Sequence, residues 1–284
     1  MRFLPIAVLA TIAAGPAYAQ QAEEGPGEAA EPITVSGSAG LTTDYRFRGV
    51  SQTDGGLAVQ GGITATHTSG VYVGAWGSNL AGWGTFGGAN MELDLYAGVK
   101  VPVGAGTLDT GLVWYMYPGG ADETDFAELY AKLSGTVGPL ALTAGVAYAP
   151  QQEALGHVFF TGAAALAGRP DDPGDKEDNL YLSADAVYAL GGTPVSLRAH
   201  LGYSDGNPGL GPNATSVAPT GTYFDWSISA DITPRAGLTF SIAYVDTDIS
   251  RTESAYLQPG FSRGQDGVGA LAGSTVLAAV TESA

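Results

Sequence analysis

Along residues 90–102, NMELDLYAGVKVP, apolar and polar positions alternate. Met91, Leu93, Leu95, Ala97, Val99 and Val101 fall on one side of an extended strand, and Glu92, Asp94, Tyr96, Gly98 and Lys100 on the other. A helix would mix the two sets, because its side chains repeat every 3.6 residues rather than every two. Runs of the same kind recur at about 33–48, 57–66, 71–79, 91–101, 107–117, 126–137, 140–149, 180–190, 195–204, 223–232, 238–246 and 274–281. Twelve period-two runs predict an all-β chain.

The connections sort by parity. After the even-numbered runs they are brief, at 69–70, 104–106, 138–139, 191–194 and 234–237. After the odd-numbered runs they lengthen, from 49–56 to 150–179, 205–222 and 247–273. Strands with one apolar face also build soluble sandwiches, but a sandwich has no reason to place its short turns on one rim and its long loops on the other. An outer-membrane barrel does, with periplasmic turns and extracellular loops. The expected fold is therefore a transmembrane antiparallel up-and-down β-barrel of about 12 strands spanning residues 33–284. Tyr45, Phe47, Trp114, Tyr148, Tyr203 and Tyr244 near the ends of odd strands, with Phe224 and Trp226 opening an even one, share the outward phase and predict an aromatic girdle at the extracellular interface.

Composition narrows the partners. The 284 residues carry a formal net charge of -17, 14% charged residues and no Cys. Such acidity opposes binding to nucleic-acid phosphates, and the absence of Cys excludes disulfides and thiolate metal sites. Arg2, the apolar run 3–14 and the small-x-small site Ala17-Tyr18-Ala19 read as a signal peptide over 1–19. Its dozen apolar residues fall short of the roughly 20 that span a bilayer. Residues 20–32, acidic and rich in Pro and Gly, read as a flexible periplasmic arm. Export to the outer membrane of a Gram-negative cell is expected, with membrane lipid as the surrounding medium.

At 44–54, DYRFRGVSQTD, the chain resembles the TorF porin family of proteobacterial outer-membrane β-barrels. Further matching stretches are 60–62 (QGG), 71–79 (VYVGAWGSN), 148–150 (YAP), 179–183 (NLYLS), 225–227 (DWS) and 244–248 (YVDTD). The resemblance implies an outer-membrane barrel with a transport role, and brings no catalytic residues. It also implies a closing strand that ends in an aromatic residue read by the barrel assembly machinery. Here residues 278–284 are AAVTESA, with Ala284 in the aromatic position, which bears on how the last strand pairs.

Following the inward phase of each strand gives the expected pore lining. Its charged members are Asp44, Arg46, Arg48, Glu92, Asp94, Lys100, Asp109, Glu128, Lys132, Asp185, Arg198, Asp225 and Asp231, a mixed set with an acidic excess. Such charges either brace the wall as ion pairs or tune permeation. Most other inward positions are small, Ser38, Gly62, Ser229 and Ser241 among them. Eight strands can be filled by side chains and sixteen leave an open channel. Twelve strands with small wall residues favour a narrow water-filled pore over a plugged one, with the 150–179 loop available to constrict it. The acidic excess, continued by Asp122, Glu123 and the loop 171–178, favours cations.

The expected function is passive diffusion of small hydrophilic solutes. A non-conducting structural or surface-exposed barrel is the alternative, and a barrel enzyme acting on lipid ranks below both. Enzyme signals are poor. His67, His157 and His200 lack metal-ligand spacing, and no Gly-x-Ser-x-Gly is present. The run DDPGDKED at 171–178 lacks the spacing of a calcium loop. No cofactor is expected.

Overall fold

The computed structural model describes residues 32–214, 216–255, 257 and 259–284. The expected signal peptide, and all but the last residue of the expected arm, lie outside the described residues. Strand β1 (Ile33–Thr42) is followed by two short strands inside one connection, β2 (Arg46–Phe47) and β3 (Val50–Ser51). Eleven further strands complete the chain: β4 (Ala58–His67), β5 (Val71–Asn79), β6 (Met91–Val103), β7 (Gly106–Met116), β8 (Phe126–Val137), β9 (Leu140–Gln152), β10 (Glu177–Ala189), β11 (Val195–Gly206), β12 (Thr222–Arg235), β13 (Leu238–Thr247) and β14 (Thr275–Ser283).

Setting β2 and β3 aside, each strand pairs antiparallel with its neighbours in sequence, and β14 returns to β1, closing a twelve-stranded barrel. The seam runs from Ser38 opposite Ser283 to Thr42 opposite Ala279. Gly37 and Ala284 extend it by exchanging two backbone hydrogen bonds of 2.9 Å. The last strand thus pairs fully with Ala284 in the aromatic position. Closure leaves the ladder without a free edge.

Short turns join the strands at one rim. Gly70, at φ +89°, shows why a glycine is needed there: its carbonyl accepts a hydrogen bond from the Lys100 N–H at 3.0 Å, and a Cβ would run into the Lys100 carbonyl. At the other rim the long connections fold over the barrel end. They bring Leu80, Trp83, Phe86, Tyr117, Leu155, Leu210, Phe261 and Leu271 together with Trp76, Tyr115 and Phe126 from the strands. The buried apolar core therefore sits at the long-loop end, so the lumen is packed there. This corrects the expectation of an unplugged pore, and the cause is that six connections, not the 150–179 loop alone, are long enough to turn inward.

The wall between the rims is inverted relative to a soluble protein. Ile228 and Ile242 face outward at 63% and 64% exposure, while the inward Glu92 and Asp225 are 3% and 2% exposed. Trp114, Tyr148, Tyr203, Phe224, Trp226 and Tyr244 lie on the outward face as expected. Tyr45 and Phe47 do not. The run expected to be one strand over 33–48 stops at Thr42, and the chain then bends into the lumen. Arg48 at φ +47° and Gly49 at φ +80° make the two-residue turn, with both φ positive, that a tight hairpin between β2 and β3 requires.

Candidate functional site

The β2–β3 hairpin lies across the lumen. Tyr45 meets Trp76 of β5 edge-on at 5.4 Å between ring centroids, and Phe47 meets Tyr115 of β7 at 5.8 Å. Arg48 Nη2 donates to Glu128 Oε1 of β8 at 2.5 Å, and its guanidinium stands 4.1 Å above the Tyr181 ring of β10. The Tyr223 hydroxyl of β12 donates to the Arg48 carbonyl at 3.0 Å. Gly49 fits so closely against β12 and β13 that a Cβ would come within 2.9 Å of the Asp225 Cβ and collide with the Thr247 methyl. One short hairpin therefore touches six strands around the barrel.

Arg46 fixes the hairpin to the loop above it. Its Nε donates to Asp44 Oδ2 at 2.8 Å, Nη1 to the carbonyls of Gly49 and Gly273 at 2.9 and 2.8 Å, and Nη2 to that of Ala270 at 2.8 Å. Asp44 also accepts from Ser51 Oγ at 2.6 Å and Thr53 Oγ1 at 3.1 Å. Both arginines are buried, and each has a carboxylate as partner, which is what makes burial of the charge tolerable. Burial acts to lower the Arg48 guanidinium, but the Glu128 carboxylate, Tyr115 and Tyr181 together outweigh it and leave the group above its ordinary value. Burial, with Glu92 and Asp94 nearby, holds the Tyr45 phenol well above its ordinary value.

The structure places the expected pore-lining residues in separate groups. Asp44, Arg46 and Arg48 are in the lumen, but on the hairpin rather than on a wall strand, which corrects their assignment to a first strand. Glu92 and Asp94 face inward beneath the apolar layer and form no ion pair among the described residues. Lys100, Asp109 and Lys132 sit opposite one another in register across β6, β7 and β8. Arg198 of β11 pairs with Asp231 of β12. Asp185 of β10 and Asp225 of β12 hold His200 between them, at 2.7 and 3.1 Å. The Tyr181 hydroxyl lies 2.9 Å from His200 Nε2 and donates to Asp225 Oδ2 at 3.1 Å.

Two halves of the lumen differ. On the β5–β8 side, Tyr72, Tyr96 and Tyr130 fill the interior, with Tyr72 donating to Asp109 at 2.5 Å and Tyr96 bonded to Thr64 at 2.6 Å. On the side of β1, β4 and β10–β14 the inward residues are mostly small, and a chamber of about 1570 Å³, counting the space open to solvent, remains below the hairpin. Arg46 and Gly49 border it. Sequence reasoning missed the hairpin because DYRFR continues the alternation of β1. The Arg-Gly pair that follows was the available signal.

Among the described residues no cluster of three or more His, Asp or Glu has the arrangement of a metal site, and no helix is long and apolar enough to cross a membrane. A family model described as "Bacterial protein of unknown function (Gcw_chp)" matches residues 26–283. No curated protein matches the chain. Several solved structures show a similar course of chain. An outer-membrane channel from Pseudomonas putida F1 is 9% identical, covering 93% of this chain and 99% of its own, with a TM-score of 0.46. Salmonella typhi OmpF, in complex with daunomycin, is 8% identical over 89% of this chain and 97% of its own, with a TM-score of 0.40. An anion-selective porin from Comamonas acidovorans is 10% identical over 88% and 98%, with a TM-score of 0.37.

Proposed function

The chain belongs to the Gcw_chp family of bacterial proteins of unknown function, and we propose that it is an outer-membrane, porin-like channel for passive diffusion of small hydrophilic solutes. The observation that carries this reading is the inverted wall. A closed barrel with Leu95, Ile228 and Ile242 exposed outside and Glu92, Asp225 and Asp231 buried inside suits hydrocarbon around it and water within. A soluble protein would leave far less contiguous apolar surface in water. The resemblance to TorF porins and the leader-like residues 1–19 support the same location, and imply lipid and the barrel assembly machinery as partners.

The solute route runs along β1 and β12–β14, where the wall residues are small, and its narrowest point is the β2–β3 hairpin. A weak cation preference comes from the exposed acidic residues at the loop end, Asp122, Glu123, Asp171 and Asp172. Recording from refolded protein in a planar bilayer under a potassium chloride gradient tests both parts. The expected result is a small conductance with a reversal potential of the cation-favouring sign. An anion-favouring sign removes the preference, and silence from protein shown to be a folded barrel removes the channel. The packed loop end favours one second reading, a non-conducting structural barrel, which predicts that silence.

A further inference from the structure

Resting on the channel reading, we propose that the chamber below the hairpin is a binding subsite for a neutral polyhydroxylated solute of the saccharide class. Charge is the first argument. The basic groups that border the chamber are engaged by carboxylates: Arg198 by Asp231, His200 by Asp185 and Asp225, and Arg46 by Asp44 and three backbone carbonyls. An anion entering would have to take a cation from its partner. A cation would compete with His200 and Arg198 for the same carboxylates. A neutral solute disturbs neither set.

The wall chemistry is the second argument. Ser38, Gln60, Ser229 and Ser241 present hydroxyl and amide groups from four strands, β1, β4, β12 and β13. Ser241 stands opposite Asp231, one inward step along β12 from Ser229, and Gln60 stands opposite Gly40, one inward step along β1 from Ser38, so each pair is diagonal, about 7–8 Å apart, and is spanned by hydroxyls on different carbons of a saccharide. Between them Gly40 and Gly62 expose backbone carbon, and Trp76 and Tyr96 contribute ring surface. A saccharide offers both matching faces, hydroxyls at its edge and C–H groups on its plane. A purely apolar solute of the same size would strip water from these polar groups without replacing it.

The test is calorimetric titration of the refolded, heat-modifiable barrel in detergent with maltotriose. Saturable binding is expected, weakened about fivefold by Ser229→Ala and again by Ser241→Ala, as loss of one hydrogen bond each implies. A trisaccharide carrying a carboxylate or an amine in place of a hydroxyl should bind no more tightly. No binding by the folded barrel overturns the proposal, and so does tenfold tighter binding of either charged analogue. Current through the barrel without saccharide binding would leave the channel standing and the subsite refuted. Saccharide binding by a barrel that passes no current would do the reverse.

Discussion

Arg48 and Gly49 decide where the lumen narrows. Arg48 can be buried there because Glu128 answers its charge at 2.5 Å, with the Tyr115 hydroxyl donating to the other carboxylate oxygen at 3.3 Å. Arg48→Ala leaves Glu128 buried without a counter-charge, and the account predicts a loss of about 3–5 kcal/mol in denaturant unfolding of the refolded barrel. Arg48→Lys should recover only part of it, since a point charge cannot reproduce the planar contact with Tyr181. Gly49→Val fails differently. Its side chain has no room against Asp225 and Thr247, so the hairpin should be pushed from its seat, and on the proposed channel function single-channel conductance should rise. An unchanged conductance would mean that the hairpin is not the constriction. At this scale the sequence was informative about facing but not about partners. The inward phase of Asp185, His200 and Asp225 is readable from alternation alone, while their convergence on one imidazole depends on the register of β10, β11 and β12.

Among the elements, β5 to β8 are held by an interlock of tyrosines over glycines. Tyr72 lies over Gly98 and Tyr130 over Gly111, in each case leaving only 2.6 Å between the phenol oxygen and the place a Cβ would occupy. Gly98→Val or Gly111→Val should therefore lower stability by about 1–3 kcal/mol through overpacking, measured as a lower denaturant midpoint. Gly135, with nothing nearer than 3.9 Å, should accept Ala with little change. The strand count, the parity of loop lengths and several strand ends were legible because period-two alternation and glycine turns are local signals. Two features were not. Residues 44–48 keep the alternation of β1, so nothing local marks the bend after Thr42. The long connections are individually featureless, and their apolar residues, Leu155, Leu210 and Leu271, become a packed layer only when six loops meet at one rim.

For the whole molecule, the claim is that the wall separates two solvents. Its outside carries Val73, Leu112, Leu201 and Ile228 in the open, and its inside carries Tyr181, Asp185, His200 and Asp225 bonded to one another. Closure of β14 on β1 makes this arrangement possible, since every strand finds two neighbours without help from water. The chain contains no Cys, so single cysteines can report each position without background. Along β12 and β13, cysteines at Ser227, Ser229 and Ser241 face the chamber and those at Ile228, Ala230 and Ile242 face outward. With the protein reconstituted in lipid vesicles, the account predicts that a charged, water-soluble maleimide labels the first three and spares the last three. Equal labelling of both sets, or labelling of the outward set alone, would contradict it.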